Sequence, residues 1–180
     1  MKHNIKKLLI STAIIFLFSN NIFSLGAGIQ FGGIPGLLIN QEEISLENIS
    51  VNITGTFRME RLPLTLGSGL EFGKINSDSG YGMSIFADYR ALDLQLKNTL
   101  SFYSGFGTSL KFLTNDFDKW TLAAGARFFA ATSWLFYDGY LELYLQQNLV
   151  PTYLKVLGNS EKEADFILCL PLEAGIRFHF

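Results

Sequence analysis

The alternation of apolar and polar residues constrains the fold of this chain more than any other feature of its sequence. From Leu25 onward the two kinds of residue change places one by one through successive segments. Side chains along a β-strand point to opposite faces of the sheet, so each segment has an apolar row and a polar row. The three-four spacing of amphipathic helices is weak over the same residues. The sequence therefore predicts an all-β fold.

Eight segments carry this alternation, near Leu25–Ile34, Ile49–Arg58, Leu64–Gly73, Tyr81–Arg90, Leu100–Phe112, Thr121–Phe128, Leu141–Gln146 and Leu168–Phe180. We predict long connections at Pro35–Asn48, Lys74–Gly80, Thr114–Lys119 and Leu154–Asp165, which are rich in turn-forming residues. Short turns are predicted at Met59–Leu62, Leu96–Thr99 and Ala131–Leu135. Long outer loops alternating with short periplasmic turns are typical of a membrane barrel with both termini in the periplasm.

The N-terminal segment has the features of an export signal. Lys2, Lys6 and Lys7 form a basic region, and the uncharged run Leu8–Phe18 has the length of a signal-peptide core but is too short for a membrane-spanning helix. A cleavage site after Ser24 predicts a cleaved signal peptide at 1–24 and one domain at 25–180. Loss of the three lysines moves the net charge from -2 to -5.

Charge and cysteine content exclude several functions. A mildly acidic exported chain is a poor nucleic-acid binder, because phosphate contacts need clustered lysine and arginine. Cys169 is the single cysteine and forms no internal disulfide, and no Cys/His metal set can be assembled. We therefore expect no cofactor, no metal and no nucleic-acid partner.

Alternation alone leaves open which face is enclosed. A soluble periplasmic barrel would enclose the apolar row around a greasy ligand, whereas a membrane barrel would turn that row toward lipid. The polar row carries many charges opposite glycine and serine, which suits a small filled lumen, and aromatic residues lie at strand ends as in aromatic girdles. These observations favour the membrane barrel.

The end of the chain carries a motif. Glu173, Gly175, Phe178 and the terminal Phe180 resemble the β-signal of bacterial outer-membrane barrels, which the barrel-assembly machinery reads. With this motif the mature chain resembles the small eight-stranded outer-membrane barrels of the OmpA transmembrane domain, OmpX and OmpW types. The segments around Gly125–Arg127 and Leu141–Leu145 also resemble small barrels of spirochaetes.

The resemblance implies an eight-stranded antiparallel up-and-down transmembrane β-barrel. It implies a location in the outer membrane of a diderm bacterium, lipid around the barrel, and a monomer. Members of this class serve as links to the cell wall, as adhesion factors at the cell surface, and as narrow porin-like channels, so the fold does not choose among these roles. We expect a structural or passive role, with a narrow pore for small or hydrophobic solutes as one form of it. Adhesion through extracellular loops and a soluble periplasmic binding barrel are the alternatives.

The polar row predicts what fills the lumen, because eight strands leave an interior just wide enough for side chains. Buried charges must pair, since an unpaired one costs several kcal/mol. We expect a salt-bridge network, with a conducting gate as the alternative, and we favour a contact Arg127–Glu142 or Glu142–Arg177. The predicted lumen network consists of Arg58, Glu71, Asp88, Arg90, Lys111, Arg127, Glu142, Glu173 and Arg177.

Catalytic motifs give no support to an enzyme. His179 is the only histidine left after cleavage, and no serine and carboxylate are marked beside it. Gly67-Ser68-Gly69 lacks the Gly-x-Ser-x-Gly spacing of a nucleophile elbow. The sequence therefore predicts no catalytic residues.

Overall fold

The structure is a computed structural model that describes residues 25–39, 44–59, 62–75, 78–116, 119–157 and 165–180. The predicted signal peptide, 1–24, lies outside the described residues. The described strands are β1 (Leu25–Ile39), β2 (Ile44–Met59), β3 (Leu64–Ile75), β4 (Asp78–Lys97), β5 (Leu100–Asp116), β6 (Lys119–Phe136), β7 (Leu141–Val156), β8 (Asp165–Cys169) and β9 (Leu172–His179).

The strands close into an antiparallel barrel. Each strand from β1 to β7 pairs with the next one, while β8 and β9 together pair with β7 on one side and with β1 on the other. β8 and β9 thus form the two halves of the eighth strand, and the fold is the predicted closed eight-stranded barrel. Leu25 and Phe180 exchange backbone hydrogen bonds of 3.2 and 2.8 Å, which seals β1 to the end of the chain. We call this end of the barrel the terminal end.

The register around the barrel fixes its stagger. The direct partners run Gly28, Thr56, Gly67, Phe86, Ser109, Gly125, Thr152, Ile167 and back to Leu38 on β1. One circuit therefore returns to β1 displaced from residue 28 to residue 38, a shear of ten residues. With strands about 4.8 Å apart and a rise of about 3.3 Å per residue, this shear corresponds to a strand tilt of about 40°.

Proline interrupts the eighth strand without shifting its register. β8 and β9 are separated by Leu170 and Pro171, yet Cys169 and Leu172 keep one common alignment with β1, opposite Gly36 and Gly33. The interruption arises because proline has no N–H to donate to a ladder. The prediction of one uninterrupted last strand is therefore wrong at these two residues, although the alternation of its faces continues.

The connections are shorter than the alternation predicted. β1 and β2 extend through most of Pro35–Asn48, and β5 and β6 leave only 117–118 of the predicted loop at Thr114–Lys119. The predicted turn at Ala131–Leu135 is wrong, since β6 continues to Phe136.

The turn that follows β6 is formed by residues 137–140. Tyr137, Asp138 and Gly139 adopt φ angles of 52°, 55° and 90° there. The apolar residues within 131–135 therefore belong to β6. The chain reverses at residues 137–139, where the backbone enters the left-handed region.

The apolar row of the barrel faces outward. Ile53, Leu70 and Phe128 are 49 %, 50 % and 50 % exposed, and similar exposure recurs around the wall. Soluble monomers rarely expose apolar surface on this scale, so the wall fits the hydrocarbon interior of a membrane. The alternative of a soluble barrel with an apolar lumen is therefore wrong, and the fold is of the outer-membrane type. None of the described residues forms a helix that is long and apolar enough to cross a membrane.

Candidate functional site

All nine charged residues expected in the lumen have their side chains inside the barrel. Eight are buried, from Glu142 at 0 % to Lys111 at 9 % exposure, and the side chain of Arg58 is 17 % exposed. Their contacts fall into three tiers along the barrel, which we call the terminal, middle and distal tiers. The tiers are built by residues from different strands, so none of these contacts is local in the sequence except one between β4 neighbours.

The terminal tier is organised around Glu142 of β7. Arg177 Nη1 donates to Glu142 Oε2 at 2.7 Å, and Arg58 Nη1 reaches both carboxylate oxygens at 3.2 and 3.3 Å. His179 Nε2 lies 3.0 Å from Glu142 Oε2. Arg90 Nη1 donates to Asp93 Oδ2 at 3.1 Å, and its Nη2 is 4.0 Å from Glu142 Oε1. One buried carboxylate is therefore surrounded by several cationic groups.

The middle tier extends across the width of the lumen. Arg127 of β6 donates from Nε to Asp88 Oδ1 at 3.0 Å and from Nη2 to Glu173 Oε2 at 3.3 Å. Asn148 Nδ2 donates to Glu173 Oε2 at 2.9 Å, and Asn52 Nδ2 donates to Glu173 Oε1 at 3.3 Å. The tier thus links β2, β4, β6, β7 and β9 through buried polar atoms.

The distal tier is smaller and lies toward the far end of the lumen. Lys111 Nζ of β5 donates to Glu71 Oε2 of β3 at 2.7 Å, and Ser50 Oγ donates to Glu71 Oε1 at 2.7 Å. Both oxygens of this carboxylate are therefore satisfied.

Of the two contacts favoured from the sequence, Glu142–Arg177 is present in the structure. Arg127 contacts Asp88 and Glu173 instead of Glu142. The reason is the register of β6 with β7, which pairs Glu142 with Leu135, eight residues along β6 from Arg127. Glu142 therefore lies at the terminal end and Arg127 half-way along the lumen. Alternation identifies the face of each residue but carries no information about its height along the axis.

Aromatic rings in the lumen were not assigned a role from the sequence. The guanidinium carbon of Arg90 lies 3.9 Å from the ring centre of Tyr103, that of Arg127 lies 4.2 Å from Phe86, and that of Arg177 lies 4.5 Å from Tyr144. Cation–π contacts of this kind stabilise desolvated guanidinium groups. The available signal was the position of these aromatic residues on the polar row of their strands.

The four residues of the terminal motif occupy distinct environments. Glu173 belongs to the middle tier, and Gly175 lies against Tyr144, whose ring occupies the place that a Cβ would take. Phe178 and Phe180 are 42 % and 70 % exposed. Both rings contact Tyr140 edge-on, with centroids 5.9 and 6.0 Å apart.

Two kinds of space flank the tiers. Beside the middle tier are two voids of about 10 Å³ each, close to the volume that a single water needs. At the terminal end is a cavity of 570 Å³, which we call the terminal vestibule. The residues that define it here are Arg58, Arg90, Ser101, Ser133, Tyr140 and Glu142.

The part of the chain that the structure describes contains no cluster of metal ligands. Groups of three or more His, Cys, Asp or Glu side chains that could hold a metal ion are absent from those residues. The ring of His179 is engaged with Glu142, as described above.

Comparisons with known proteins place the fold. No protein-family model matches the chain, and no curated protein matches its sequence. The crystal structure of Neisserial surface protein A (NspA) superimposes with a TM-score of 0.55 at 14 % identity, covering 87 % of this chain and 97 % of that one. Ail, the attachment invasion locus protein of Yersinia pestis, matches with a TM-score of 0.47 at 8 % identity over 87 % of this chain and 99 % of its own. The superposition on NspA shows that the chain has the fold of a small outer-membrane β-barrel.

Proposed function

We propose that this protein is a structural outer-membrane barrel whose lumen is closed to ions and solutes. The observation that carries the proposal is the middle tier, in which Arg127, Glu173 and Asn148 are 4 %, 1 % and 1 % exposed and bonded to one another. A hydrogen-bonded network of this kind is costly to open, because each broken contact leaves a polar or charged atom unpaired in a low-dielectric interior. A narrow pore through the same lumen is the competing role.

Planar-bilayer recordings on the refolded protein test the closed lumen. The protein is expected to insert without unitary currents. The double variant Arg127→Ala/Glu173→Ala removes two long side chains of opposite charge, so it opens the tier without changing its net charge, and we expect unitary currents from it. The matched control is Phe128→Ala on the outer face, which should behave as the unaltered barrel. Unitary currents from the unaltered barrel would instead identify it as a pore.

Export and assembly complete the proposal. Residues 1–24 act as a cleaved signal peptide, the barrel-assembly machinery reads Glu173, Gly175, Phe178 and Phe180, and the folded monomer lies with its terminal end toward the periplasm. N-terminal sequencing of protein from outer-membrane fractions should start at Leu25. Phe180→Ala should slow assembly in cells, while Phe106→Ala, which removes another exposed ring from the wall, should leave it unchanged. Assembly of the Phe180 variant at the normal rate would exclude this ring from the signal.

Catalysis and adhesion are not part of this proposal. The buried carboxylates are ion-paired with arginine or lysine side chains, and His179 lies 3.0 Å from Glu142, which supports a non-enzymatic role. Adhesion through the loops stays a prediction, because residues 40–43, 76–77, 117–118 and 158–164 lie outside the described part of the chain.

A further inference from the structure

The terminal vestibule has the size and accessibility of a small-molecule site. Its volume of 570 Å³ lies within the range of roughly 300–1,000 Å³ that is common for ligand pockets. Asp138, Tyr140 and Phe180 line it and are exposed, so the vestibule opens at the terminal end of the barrel. Its inner wall is the charged terminal tier.

Two hydroxyl groups in the vestibule are available to a ligand. Ser101 of β5 and Ser133 of β6 are direct cross-strand partners, they are 9 % and 2 % exposed, and both line the cavity. Within the described part of the chain, neither side chain makes a hydrogen bond or ion pair. Buried hydroxyls normally have partners, so this adjacent pair marks a place where a ligand group can donate and accept.

Three arginines, Arg58, Arg90 and Arg177, and three carboxylates, Asp93, Asp138 and Glu142, lie in or beside the vestibule, so its charges balance in number. Arg58 and Arg90 are set against Glu142 and Asp93, with contacts of 3.1 to 3.6 Å between most of these partners. A ligand with a net charge of either sign would meet groups of both signs on this inner wall, where Nε and Nη2 of Arg90 have no hydrogen-bond partner among the described residues. An apolar molecule would leave the hydroxyls and guanidinium groups desolvated without partners. The chemistry of the wall therefore suits a neutral ligand with many hydrogen-bonding groups.

An aromatic side chain completes the site. Tyr140 is 50 % exposed, lines the cavity near its mouth, and is held by edge-on contacts with Phe178 and Phe180. Tyrosine combines an apolar ring with a polar tip, so it can contact both the C–H groups and the hydroxyls of a ligand. We propose that the terminal vestibule binds a small neutral polyhydroxylated molecule of the saccharide class. The site does not depend on whether the lumen beyond it conducts.

A titration with maltose tests the proposal on the whole refolded barrel. The micelle should be formed by a detergent without a sugar headgroup, and binding should be followed by the amide NMR signals of Gly139 and Tyr140. We expect saturable shifts of these signals. Ser133→Ala removes one hydrogen-bonding partner and should weaken binding about fivefold, since one hydrogen bond contributes about 1 kcal/mol. The matched control is Ser109→Ala, a lumen serine outside the vestibule, which should bind as the unaltered protein does.

Several outcomes would overturn the assignment. These are the absence of saturable shifts, shifts that appear in the distal tier instead, and equal affinity in the Ser133 and Ser109 variants. Saturation by sodium phosphate but not by maltose would show that the site is an anion site. Heat-modifiable gel migration establishes that each variant is folded, and Ser101→Ala takes the place of Ser133→Ala if the latter does not fold.

Discussion

Glu142 is completely buried and accepts hydrogen bonds from two arginines in the lumen of the barrel. Removing a carboxylate and a guanidinium from water costs several kcal/mol each, and their attraction offsets this cost only when the geometry is good and the remaining atoms are bonded. The aromatic contact of Arg177 with Tyr144 adds to this compensation. At the residue scale, the lumen is therefore a network whose members depend on one another.

Neutralising Glu142 should destabilise the barrel strongly. Glu142→Gln leaves Arg58 and Arg177 without their shared counter-charge, and we expect a loss of about 3–5 kcal/mol in the free energy of unfolding. Urea unfolding of the protein in micelles, followed by tryptophan fluorescence, measures this loss. The matched control is Asp93→Asn, because the side chain of Asp93 is 49 % exposed and its ion pairs should contribute about 1 kcal/mol or less. Equal effects of the two variants would contradict the role given to Glu142.

Gly175 offers a test that separates packing from signalling. A Cβ at this position would collide with the ring of Tyr144, so Gly175→Ala should cost about 1–3 kcal/mol through overpacking. The second substitution Tyr144→Leu should recover part of this stability in urea unfolding, since it removes the ring. If the glycine serves only the assembly signal, Gly175→Ala will unfold as the unaltered barrel does in vitro and will impair assembly only in cells.

The junction of β8 and β9 shows how a single element tolerates proline inside a membrane wall. The backbone N–H of Asn148 donates to the backbone carbonyl of Pro171 at 2.8 Å. Proline has no N–H that could donate in return to the backbone carbonyl of Asn148. The side chain of Gln147 takes that role, because its Nε2 donates to the carbonyl of Asn148 at 3.1 Å. It also reaches the carbonyls of Leu170 and Pro171 at 3.3 and 3.2 Å. A polar residue on the outer face is therefore explained by the missing ladder hydrogen bond.

Removing the amide of Gln147 should be costly only while Pro171 is present. Gln147→Leu leaves carbonyls unsatisfied in a wall without water, and we expect a loss of about 1–3 kcal/mol in the free energy of unfolding. In the background of Pro171→Ala, whose N–H can join the ladder, the same change should be close to neutral. A double-mutant cycle by urea unfolding in micelles measures the coupling. Additive effects of the two substitutions would show that the side chain of Gln147 does not replace the N–H that Pro171 lacks.

The whole molecule is arranged opposite to a soluble protein, with charges enclosed and apolar side chains outside. Ile53 and Leu70 lie on the outer face as cross-strand partners, while Asn52 and Glu71 on the same two strands are buried in the lumen. The apolar outer wall contacts the hydrocarbon interior of the membrane. Closure of the barrel pairs each described strand on both sides, so no sheet edge is exposed to lipid. The stability of the whole barrel therefore depends on the lipid around it as much as on packing inside the lumen.

A charge placed on the outer wall tests this arrangement. Ile53→Arg should destabilise the barrel in lipid bilayers by about 2–4 kcal/mol if the position lies near the membrane midplane. The control Tyr137→Arg lies in the turn after β6, where Tyr137 is 79 % exposed, and should change stability by less than about 1 kcal/mol. Urea unfolding in lipid vesicles measures both variants. A neutral effect at Ile53 would show that this face does not contact lipid.

The alternation of residues by itself determined the fold class, the number of strands and the face on which each charged residue lies, because side chains along a strand alternate strictly. It predicted Glu142 and Arg177 on the enclosed row, and it left their partners open. The register of β7 with β9 placed Glu142 directly opposite Arg177. The shear of ten residues set the contacts across the lumen, which join Glu142 to Arg58 and Arg127 to Asp88 and Glu173. Shear is a property of the closed sheet, since it depends on the register of all eight strand pairs together. Periodicity within one strand defines a face, whereas height along the barrel axis exists only after the last strand has closed on the first.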